Sequence, residues 1–234
     1  MQAIILAGGI GSRLGSIVKN TPKPFLKVNK NPFVLKIVER LKNQGVDNII
    51  FCLGYKPEKI IDFFGDGSMW GIKISYLIED NLRGTAGAVR SAYKKISGLD
   101  VVILNGDSFC YFDIPNLIKQ HKLNKADVTI SVLKNNNPER YGLISFNQNM
   151  KIIKFIEKTK NYKNKNHFIN AGVYVMKKTI IKRINNNKPV SLEKDFFPKI
   201  LYMNVQAFII ENRKFIDIGT PKSLKKADFF FNKE

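Results

Sequence analysis

The order of apolar runs in the first half of the chain constrains its fold more than any other feature. Four short apolar runs typical of β-strands are separated by segments whose apolar residues recur at helical spacing. The strand-like runs are 3–6, 46–54, 72–79 and 99–107, and the helical segments are 32–42, 56–65 and 85–96. Strands that alternate with helices predict a mostly parallel sheet with helices on both faces. Ligands of such sheets bind at the carboxyl ends of the strands, so the loops after these runs are candidate functional positions.

The pattern changes after about Ala126. The next four runs are strand-like and are joined by polar turns, which indicates a more antiparallel second half that covers the crevice; they are 126–134, 141–150, 151–158 and 168–178. A helix capped by Ser191, a strand pair and a closing helix from Pro221 are expected to follow. We therefore predict an α/β fold, with a Rossmann-like, mostly parallel central sheet flanked by helices and a smaller, more antiparallel lobe. We expect a single domain over 1–234, made of parts at about 1–125 and 126–234.

The composition indicates a globular chain and argues against a nucleic-acid partner. The 234 residues are 44% hydrophobic and 25% charged, enough to bury a full core. The formal net charge of +20 suits nucleic acid, but the lysines are scattered through every segment, and the densest basic stretch, 157–167, lacks helical periodicity. The sequence has no zinc-finger spacing, RNP1-like motif or basic heptad region. An anionic small-molecule substrate remains compatible with the charge.

The remaining compositional signals predict a reduced, cytoplasmic protein. No apolar stretch approaches the roughly 20 residues that cross a bilayer, and the N-terminus lacks a basic region followed by a cleavable apolar segment. We therefore expect no membrane partner, and a monomer or small homo-oligomer. Cys52 and Cys110 lie in or beside apolar runs and are predicted to be core thiols. His121 and His167 lack zinc-site spacing and are predicted to lie at the surface.

The opening segment "AIILAGGIGSRLGSIVKNTPKPFL", residues 3–26, suggests a phosphate-binding loop. A Rossmann fingerprint requires glycine three positions after Gly11, where Leu14 stands, and a Walker A loop requires lysine, where this loop offers Arg13. What remains is a glycine loop whose backbone N–H groups can approach phosphate oxygens, with a guanidinium beside it and Lys23 in a Pro-Lys-Pro turn. The alternative is a tight strand-to-helix turn with a surface arginine.

Eight motifs, in order along the whole chain, resemble those of the sugar-1-phosphate nucleotidylyltransferases, also called sugar-nucleotide pyrophosphorylases. They are "LAGGIGSRL", "PKPFL", "GTAGAV", "LNGDSF", "YGLISF", "FIEK", "NAGVYV" and "FIDIGTP". Within that family, "SLEKDFFP", "FIDIGTP" and the short chain are most similar to D-glycero-D-manno-heptose 1-phosphate guanylyltransferases. Mannose-1-phosphate guanylyltransferases and glucose-1-phosphate cytidylyl-, thymidylyl- or uridylyltransferases share most of these motifs and stay as alternatives.

The resemblance implies that a nucleoside triphosphate and a sugar 1-phosphate react to give a nucleotide sugar, here GDP-heptose for surface polysaccharide, and pyrophosphate. Since the sugar phosphate attacks the α-phosphorus in line, the site must neutralise charge and fix geometry without a protein nucleophile. The resemblance implies catalytic roles for Arg13, Lys23 and Asp107. It also implies Mg²⁺, or Mn²⁺, held by Asp107 and Asp217, whose carboxylate oxygens suit a hard cation. We expect each aspartate where a parallel strand delivers it into the crevice.

The resemblance also implies two sets of binding residues. The nucleotide set is Leu6, Ala7, Gly8, Gly9, Gly11, Ser12, Arg13, Glu79, Gly84 and Thr85, and the sugar-phosphate set is Gly142, Glu157, Lys158 and Asn170. Glu79 and the Gly84 backbone are expected at the nucleobase, where a carboxylate can accept from both N1–H and N2–H₂ of guanine, which favours GTP over pyrimidine triphosphates. Glu157 and Lys158 would face opposite sides of a strand unless it ends or bulges there, which favours Lys158.

Two other functions stay open. A non-catalytic nucleotide-sugar sensor on the same fold is expected to lack Arg13, Lys23 or one of the two aspartates, and this chain keeps all four. A molybdenum-cofactor nucleotidyltransferase shares a similar glycine loop but not "NAGVYV" and "FIDIGTP". Pyrophosphate release from a panel of triphosphates and sugar phosphates separates these possibilities.

Overall fold

The structure, a computed structural model, describes residues 1–135, 141–156, 167–185, 187–211 and 214–232. Its strands are β1 (Gln2–Ala7), β2 (Lys27–Val28), β3 (Asn31–Pro32), β4 (Asn48–Leu53), β5 (Lys73–Ile78), β6 (Asp100–Asn105), β7 (Ser108–Cys110), β8 (Val128–Asn135), β9 (Leu143–Phe146), β10 (Ile152–Ile156), β11 (His167–Lys177), β12 (Val205–Ile209) and β13 (Phe215–Asp217). Its α-helices are α1 (Phe33–Lys42), α2 (Glu58–Phe64), α3 (Gly84–Ser91), α4 (Ile114–Leu123), α5 (Lys178–Ile181) and α6 (Pro221–Phe231).

The first half of the chain builds the parallel part of the central sheet, as the alternation of strands and helices predicts. The order β6-β1-β4-β5 is parallel throughout, and Ile5 of β1 lies opposite Leu104 of β6 and Phe51 of β4. Because all four strands run in one direction, the loops that follow them meet at one edge of the sheet. The glycine loop, Glu79 and Asp107 all lie in these loops.

The second half extends the same sheet with mainly antiparallel strands, which confirms the predicted change of pattern. Strand β11 pairs antiparallel with β6, β8 and β9, and Val173 lies opposite Leu104. Since β11 runs against β6, its middle residues, Asn170 to Gly172, lie beside the carboxyl end of β6. Strand β12 adds to β8 in the parallel sense.

The sheet buries apolar side chains on both faces. Alternate residues of β1 point to opposite faces, so Ala3 and Ile5 pack with α1 residues such as Leu41, whereas Ile4 packs with α3 residues such as Val89. Cys52 and Cys110 are buried and free, as predicted. In the described part of the chain, no helix is long and apolar enough to cross a membrane.

Three local predictions differ from the structure. The segment after Ser191 is a π-helical turn, Leu192–Phe196, followed by a 3₁₀ turn, Phe197–Ile200, rather than one α-helix. Pro198 lies inside the predicted helix and has no backbone N–H to donate to it. His121 is 1% exposed and hydrogen-bonded through Nδ1 to Thr129, so its predicted surface position is wrong. It lies on the buried face of the amphipathic helix α4.

Asp217 is the third difference. It ends β13, which pairs antiparallel with β7 in a separate two-stranded sheet, not a parallel strand of the central sheet. The physical reason is that β7 starts immediately after the Asp107 turn and gives β13 a partner outside the main sheet.

Candidate active site

A cavity of about 400 Å³ lies at the edge where the parallel strands end. Its lining includes most of the residues that the sequence predicts for the site: Leu6, Gly8, Gly9, Arg13, Lys23, Glu79, Gly84, Thr85, Asp107, Gly142, Asn170 and Asp217. Three further predicted residues lie beside the cavity in the opening loop without lining it: Ala7, Gly11 and Ser12. The two remaining predicted residues, Glu157 and Lys158, lie outside the described residues.

The opening loop is shaped by close contacts that only glycine allows. Gly11 has a φ of 73°, and a Cβ at that position would lie 3.2 Å from Cβ of Lys23. A side chain here would therefore strain the backbone and press on the lysine. Lys23 is 7% exposed and its ammonium forms an ion pair with the Asp107 carboxylate. This ion pair compensates for the burial of the lysine in the wall of the cavity.

Two cations and a carboxylate converge near Gly219. A Cβ built on Gly219 would lie 2.8 Å from Asp217 Oδ1 and 3.5 Å from both Arg13 Nη2 and Lys23 Nζ. The two cationic nitrogens are therefore no more than 7 Å apart. Positive charge at this spacing, next to backbone N–H groups of a glycine loop, suits a polyphosphate chain.

The two aspartates are fixed to one another through the backbone. Ile218 N–H donates to the Asp107 carbonyl oxygen at 3.0 Å, and Asp217 lies opposite Ser108 in the β7–β13 pair. The Asp217 carboxylate accepts from the Tyr141 hydroxyl at 2.6 Å and from the Gly219 N–H at 2.8 Å. Both side chains thereby reach the cavity from separate parts of the sequence.

This pair of carboxylates fits a divalent cation that completes its shell from a substrate. Among the described residues, no group of three or more His, Cys, Asp or Glu side chains could hold a metal. Mg²⁺ at nucleotide sites commonly takes one or two carboxylates and fills its remaining positions with phosphate oxygens and water. Asp107 and Asp217 line the same cavity as Arg13 and Lys23, so two carboxylates are available to a cation there beside two groups that can bind phosphate.

Glu79 follows β5 and has an acceptor oxygen that the described part of the protein leaves unused. Its N–H donates to the Leu53 carbonyl oxygen at 2.9 Å, which holds the residue beside the glycine loop. Its Oε1 is buried and has no hydrogen-bond partner among the described residues. Burial raises the pKa of the Glu79 carboxyl above its ordinary value, and a hydrogen bond from the backbone of Arg83 partly offsets that rise. An unsatisfied buried carboxylate oxygen favours a ligand that brings N–H donors.

Gly84 has a packing requirement that its motif does not reveal. Its φ is 73°, and a Cβ there would lie 2.5 Å from the Val190 carbonyl oxygen. That oxygen accepts from the N–H groups of Ala86 and Gly87 at 2.9 and 3.3 Å, in the first turn of α3. The segment before the π-helical turn thus sits against the N-terminus of α3.

The sugar side of the predicted site is built on an irregularity in β11. The pairing of β11 with β8 shifts register between Asn170 and Tyr174, and Gly172 between them has a φ of 74°. Asn170 Oδ1 accepts from the Gly172 N–H at 2.9 Å, and the Asn170 N–H donates to the Gly142 carbonyl oxygen at 2.8 Å. The bulge therefore places Asn170 and Gly142 together at the cavity wall.

Sequence reasoning missed several side chains that line the cavity: Asn105, Ser108, Tyr141, Ser191, Glu193, Lys194 and Phe215. All seven stand in motifs that the sequence analysis quotes: Asn105 and Ser108 in "LNGDSF", Tyr141 in "YGLISF", Ser191, Glu193 and Lys194 in "SLEKDFFP", and Phe215 in "FIDIGTP". Cys52 also lines the cavity, but burial raises the pKa of its thiol far above neutral pH, so it is not an activated nucleophile.

Comparison with known proteins shows similarity to a family model and to named enzymes over most of the chain. The sequence model of the family described as "Nucleotidyl transferase" matches residues 2–234. The chain is 37% identical over 227 residues to a D-glycero-alpha-D-manno-heptose 1-phosphate guanylyltransferase of Aneurinibacillus thermoaerophilus, covering 97% of this chain and 96% of that one. It is 32% identical over 201 residues to a mannose-1-phosphate guanylyltransferase of Mycobacterium tuberculosis, covering 86% of this chain and 55% of that one.

One solved structure resembles this protein over nearly the full length of both chains. It is HddC from Yersinia pseudotuberculosis complexed with GMP-PN, with a TM-score of 0.85 and 33% identity, covering 98% of this chain and 99% of that one. The similarity therefore includes both the parallel and the antiparallel parts of the sheet.

Proposed function

The chain belongs to the nucleotidyl transferase family, and from that premise we propose that it transfers GMP from GTP to D-glycero-D-manno-heptose 1-phosphate. The products are GDP-heptose and pyrophosphate. The observation that carries the proposal is the convergence of Arg13, Lys23 and the Asp217 carboxylate around Gly219, with Asp107 ion-paired to Lys23 in the same cavity. The named relatives, heptose 1-phosphate guanylyltransferases among them, support the choice of sugar and base.

In this reaction, an oxygen of the sugar phosphate forms a bond to the α-phosphorus of GTP. The bond from that phosphorus to the oxygen bridging to the β-phosphorus breaks, and pyrophosphate leaves with the bonding electron pair. Arg13 and Lys23 neutralise the triphosphate and the charge that grows on the leaving pyrophosphate, while the backbone of the glycine loop orients the phosphates. Lys23 exchanges part of its contact with Asp107 for a phosphate oxygen when the substrate enters. No protein nucleophile takes part.

Asp107 and Asp217 are proposed to hold Mg²⁺ or Mn²⁺, which when bound supplies Lewis-acid stabilisation of phosphate charge. The contacts of Asp217 with Tyr141 and the Gly219 N–H orient its carboxylate for that role. Ion pairing with Lys23 does the same for Asp107.

Glu79 is proposed to select guanine. Its buried, unpartnered Oε1 supports this role, because guanine offers two adjacent donors, N1–H and N2–H₂, to a carboxylate. Uracil and thymine offer one ring N–H between two carbonyl oxygens, which a carboxylate would repel. Gly84 and Thr85 are proposed to lie beside the base, and Leu6 and Gly8 beneath the nucleoside.

The sugar phosphate is proposed to bind across β9 and β11. Asn170 offers an amide to a sugar hydroxyl, Gly142 leaves room for the ring, Lys158 meets the phosphate and Glu157 accepts from a hydroxyl. We also propose that the chain acts as one cytoplasmic domain whose product serves surface-polysaccharide synthesis.

The test is a side-by-side assay of pyrophosphate release with GTP, UTP, dTTP and CTP against heptose, mannose and glucose 1-phosphates. The proposal predicts the highest kcat/KM for GTP with the heptose 1-phosphate. Preference for mannose 1-phosphate with GTP would favour the other guanylyltransferase activity, which the Mycobacterium relative supports. Binding of GTP and GDP-heptose without turnover would show that the protein is a non-catalytic nucleotide-sugar sensor and not an enzyme.

A further inference from the structure

The segment Val190–Glu193 joins the two sides of the proposed site. Its backbone is hydrogen-bonded to the start of α3: Val190 N–H donates to the Arg83 carbonyl oxygen at 2.8 Å, and Leu192 N–H donates to the Thr85 hydroxyl at 2.7 Å. These contacts fix a piece of the second half of the chain to the helix that borders the proposed base site. The segment also carries Glu193, which faces the cavity.

The Glu193 carboxylate accepts from hydroxyl groups on both sides of this junction. Its Oε2 accepts from Thr85 at 3.0 Å and from Ser191 at 2.9 Å, and its Oε1 accepts from Tyr174 at 3.3 Å. Ser191 in turn accepts from the N–H groups of Glu193 and Lys194 at 3.2 Å each, so the helical turn that presents the carboxylate is capped. Glu193 is therefore held from several directions before any substrate arrives.

The Tyr174 hydroxyl connects Glu193 to Asn170 through two hydrogen bonds. The Tyr174 side chain is fully buried against Phe197, with ring centroids 5.0 Å apart, so its hydroxyl cannot turn to solvent. Asn170 Nδ2 donates to that hydroxyl at 2.8 Å, and Asn170 Oδ1 accepts from the Gly172 N–H at 2.9 Å. The hydroxyl thus accepts from the asparagine and donates to the glutamate.

The donor and acceptor roles in these two hydrogen bonds follow from the chemistry of the carboxylate, the hydroxyl and the amide. An ionised carboxylate only accepts, so the Tyr174 hydrogen is directed to Glu193 and a lone pair is left for Asn170. Asn170 must then present its NH₂ group to Tyr174 and its oxygen to Gly172. One of the two Nδ2 hydrogens is used by Tyr174, and the other has no hydrogen-bond partner among the described residues, so it can donate to a ligand. An amide at position 193 could donate to Tyr174 instead and would remove this directionality.

We propose that Glu193 is a positioning residue that acts through Tyr174 to hold Asn170 as a hydrogen-bond donor to the sugar phosphate substrate. The hydrogen bond that Glu193 accepts from Thr85 also connects Glu193 to the side of the cavity where the base is proposed to bind. The inference rests on the proposed function, because it assigns Asn170 to the sugar. Glu193 itself contacts no reacting atom, but it determines whether the Asn170 amide presents its nitrogen or its oxygen to the sugar.

The test compares steady-state constants of Glu193→Gln, Tyr174→Phe and Thr85→Val with those of the wild type. Glu193→Gln and Tyr174→Phe are expected to raise KM for the sugar phosphate about tenfold, the scale of one misdirected hydrogen bond, with KM for GTP changed less than about twofold. Thr85→Val is expected to raise both constants, and Thr85→Ser, which keeps the hydroxyl, restores both. Thr129→Val, which removes a buried hydroxyl bonded to His121, is the matched control and leaves both constants unchanged.

A second measurement separates positioning from simple loss of structure. In the Asn170→Ala background, Glu193→Gln is expected to have no further effect on the KM for the sugar phosphate, because the residue it positions is gone. Additive effects, equal rises of both KM values for Glu193→Gln, or a fall in Tm with unchanged constants would overturn the inference. Failure of the proposed function is detected separately, in the wild-type panel, and the same KM comparison is then made with whichever substrate pair the wild type turns over.

Discussion

The backbone N–H of Ile218 donates to the carbonyl oxygen of Asp107 at 3.0 Å. This bond joins the turn after β6 to the end of β13, so that the carboxylates of Asp107 and Asp217 are delivered to the same cavity from two different sheets. Neither aspartate depends on a flexible loop for its position. In the described part of the chain, the proposed site for two polyanions is thereby assembled without a cluster of three or more metal-binding side chains.

Asp107→Asn and Asp217→Asn are each expected to lower kcat by at least about a hundredfold, since each removes a negative charge that helps to hold the proposed cation, and that cation stabilises the phosphate charge. Initial rates of pyrophosphate release with and without added Mg²⁺ check this. Asp47→Asn is the control, because that carboxylate is exposed and pairs with the N-terminal amine. Full wild-type turnover in excess chelator would contradict the proposed metal dependence.

Arg13→Ala is expected to impair catalysis far more than folding. The Arg13 side chain is exposed in the opening loop and contributes little packing, whereas its guanidinium borders the point where the phosphates are proposed to lie. The checks are kcat/KM and Tm measured on the same preparation, with the exposed Arg183→Ala as the matched arginine control. A large fall in Tm with normal residual turnover would show that Arg13 acts structurally.

Glu79→Gln is expected to lower kcat/KM for GTP and to narrow the preference for GTP over UTP by about tenfold or more, because the amide places an N–H against the guanine donors. The KM for the sugar phosphate is the internal control and stays nearly constant. An unchanged base preference in the variant would remove Glu79 from base selection.

Glu79 is also expected to make GTP binding depend on pH. Burial raises the pKa of Glu79 above the ordinary 4.5, and the proposed recognition of guanine requires the ionised carboxylate. As the pH falls toward that raised pKa, protonation removes an acceptor, so KM for GTP is expected to rise at a pH above 4.5. A KM profile for GTP in Glu79→Gln should lack this rise; an identical profile in both proteins would contradict the assignment.

His121 is expected to make stability fall at mildly acidic pH. Burial lowers the pKa of its imidazole below 6.5, against an opposing effect of Asp100, with Lys177 and Asp127 as further charged neighbours. Because the unfolded chain takes up this proton first, the stability is fully present above about pH 6.5 and is lost as the pH falls through the lowered folded value. Urea unfolding of the wild type and of His121→Gln between pH 7.5 and 5 measures the effect. Parallel curves for the two proteins would show that His121 does not cause it.

The parts of the fold that depend on local pattern were predictable from the sequence. The alternation of apolar runs with helical segments predicts the parallel pairing found around β1, and the turns at the ends of these runs contain Arg13, Glu79 and Asp107, which line one cavity. Ser191 caps its helical turn and the closing helix begins at Pro221, both as expected, because a capping hydroxyl and a proline at the first helical position are local signals.

The parts that depend on tertiary context were not predictable. The antiparallel partner of Asp217 is set by β7, which is only three residues long and carries no periodic signal. Burial of His121 depends on Thr129 across a helix–sheet contact. Tyr141 and Glu193 are hydrogen-bonded to residues distant in the sequence, Asp217 and Thr85, and spacing along the chain does not reveal these contacts. The roles of Glu157 and Lys158 stay predictions.

One competition experiment tests whether the protein transfers GMP to the heptose 1-phosphate. The protein is incubated with equimolar GTP, UTP, dTTP and CTP, D-glycero-D-manno-heptose 1-phosphate and Mg²⁺, and the nucleotide sugars are separated and identified by mass spectrometry. GDP-heptose is expected to be the main product and to form in step with pyrophosphate. A main product that carries a pyrimidine base, or no nucleotide sugar from any triphosphate, would contradict it.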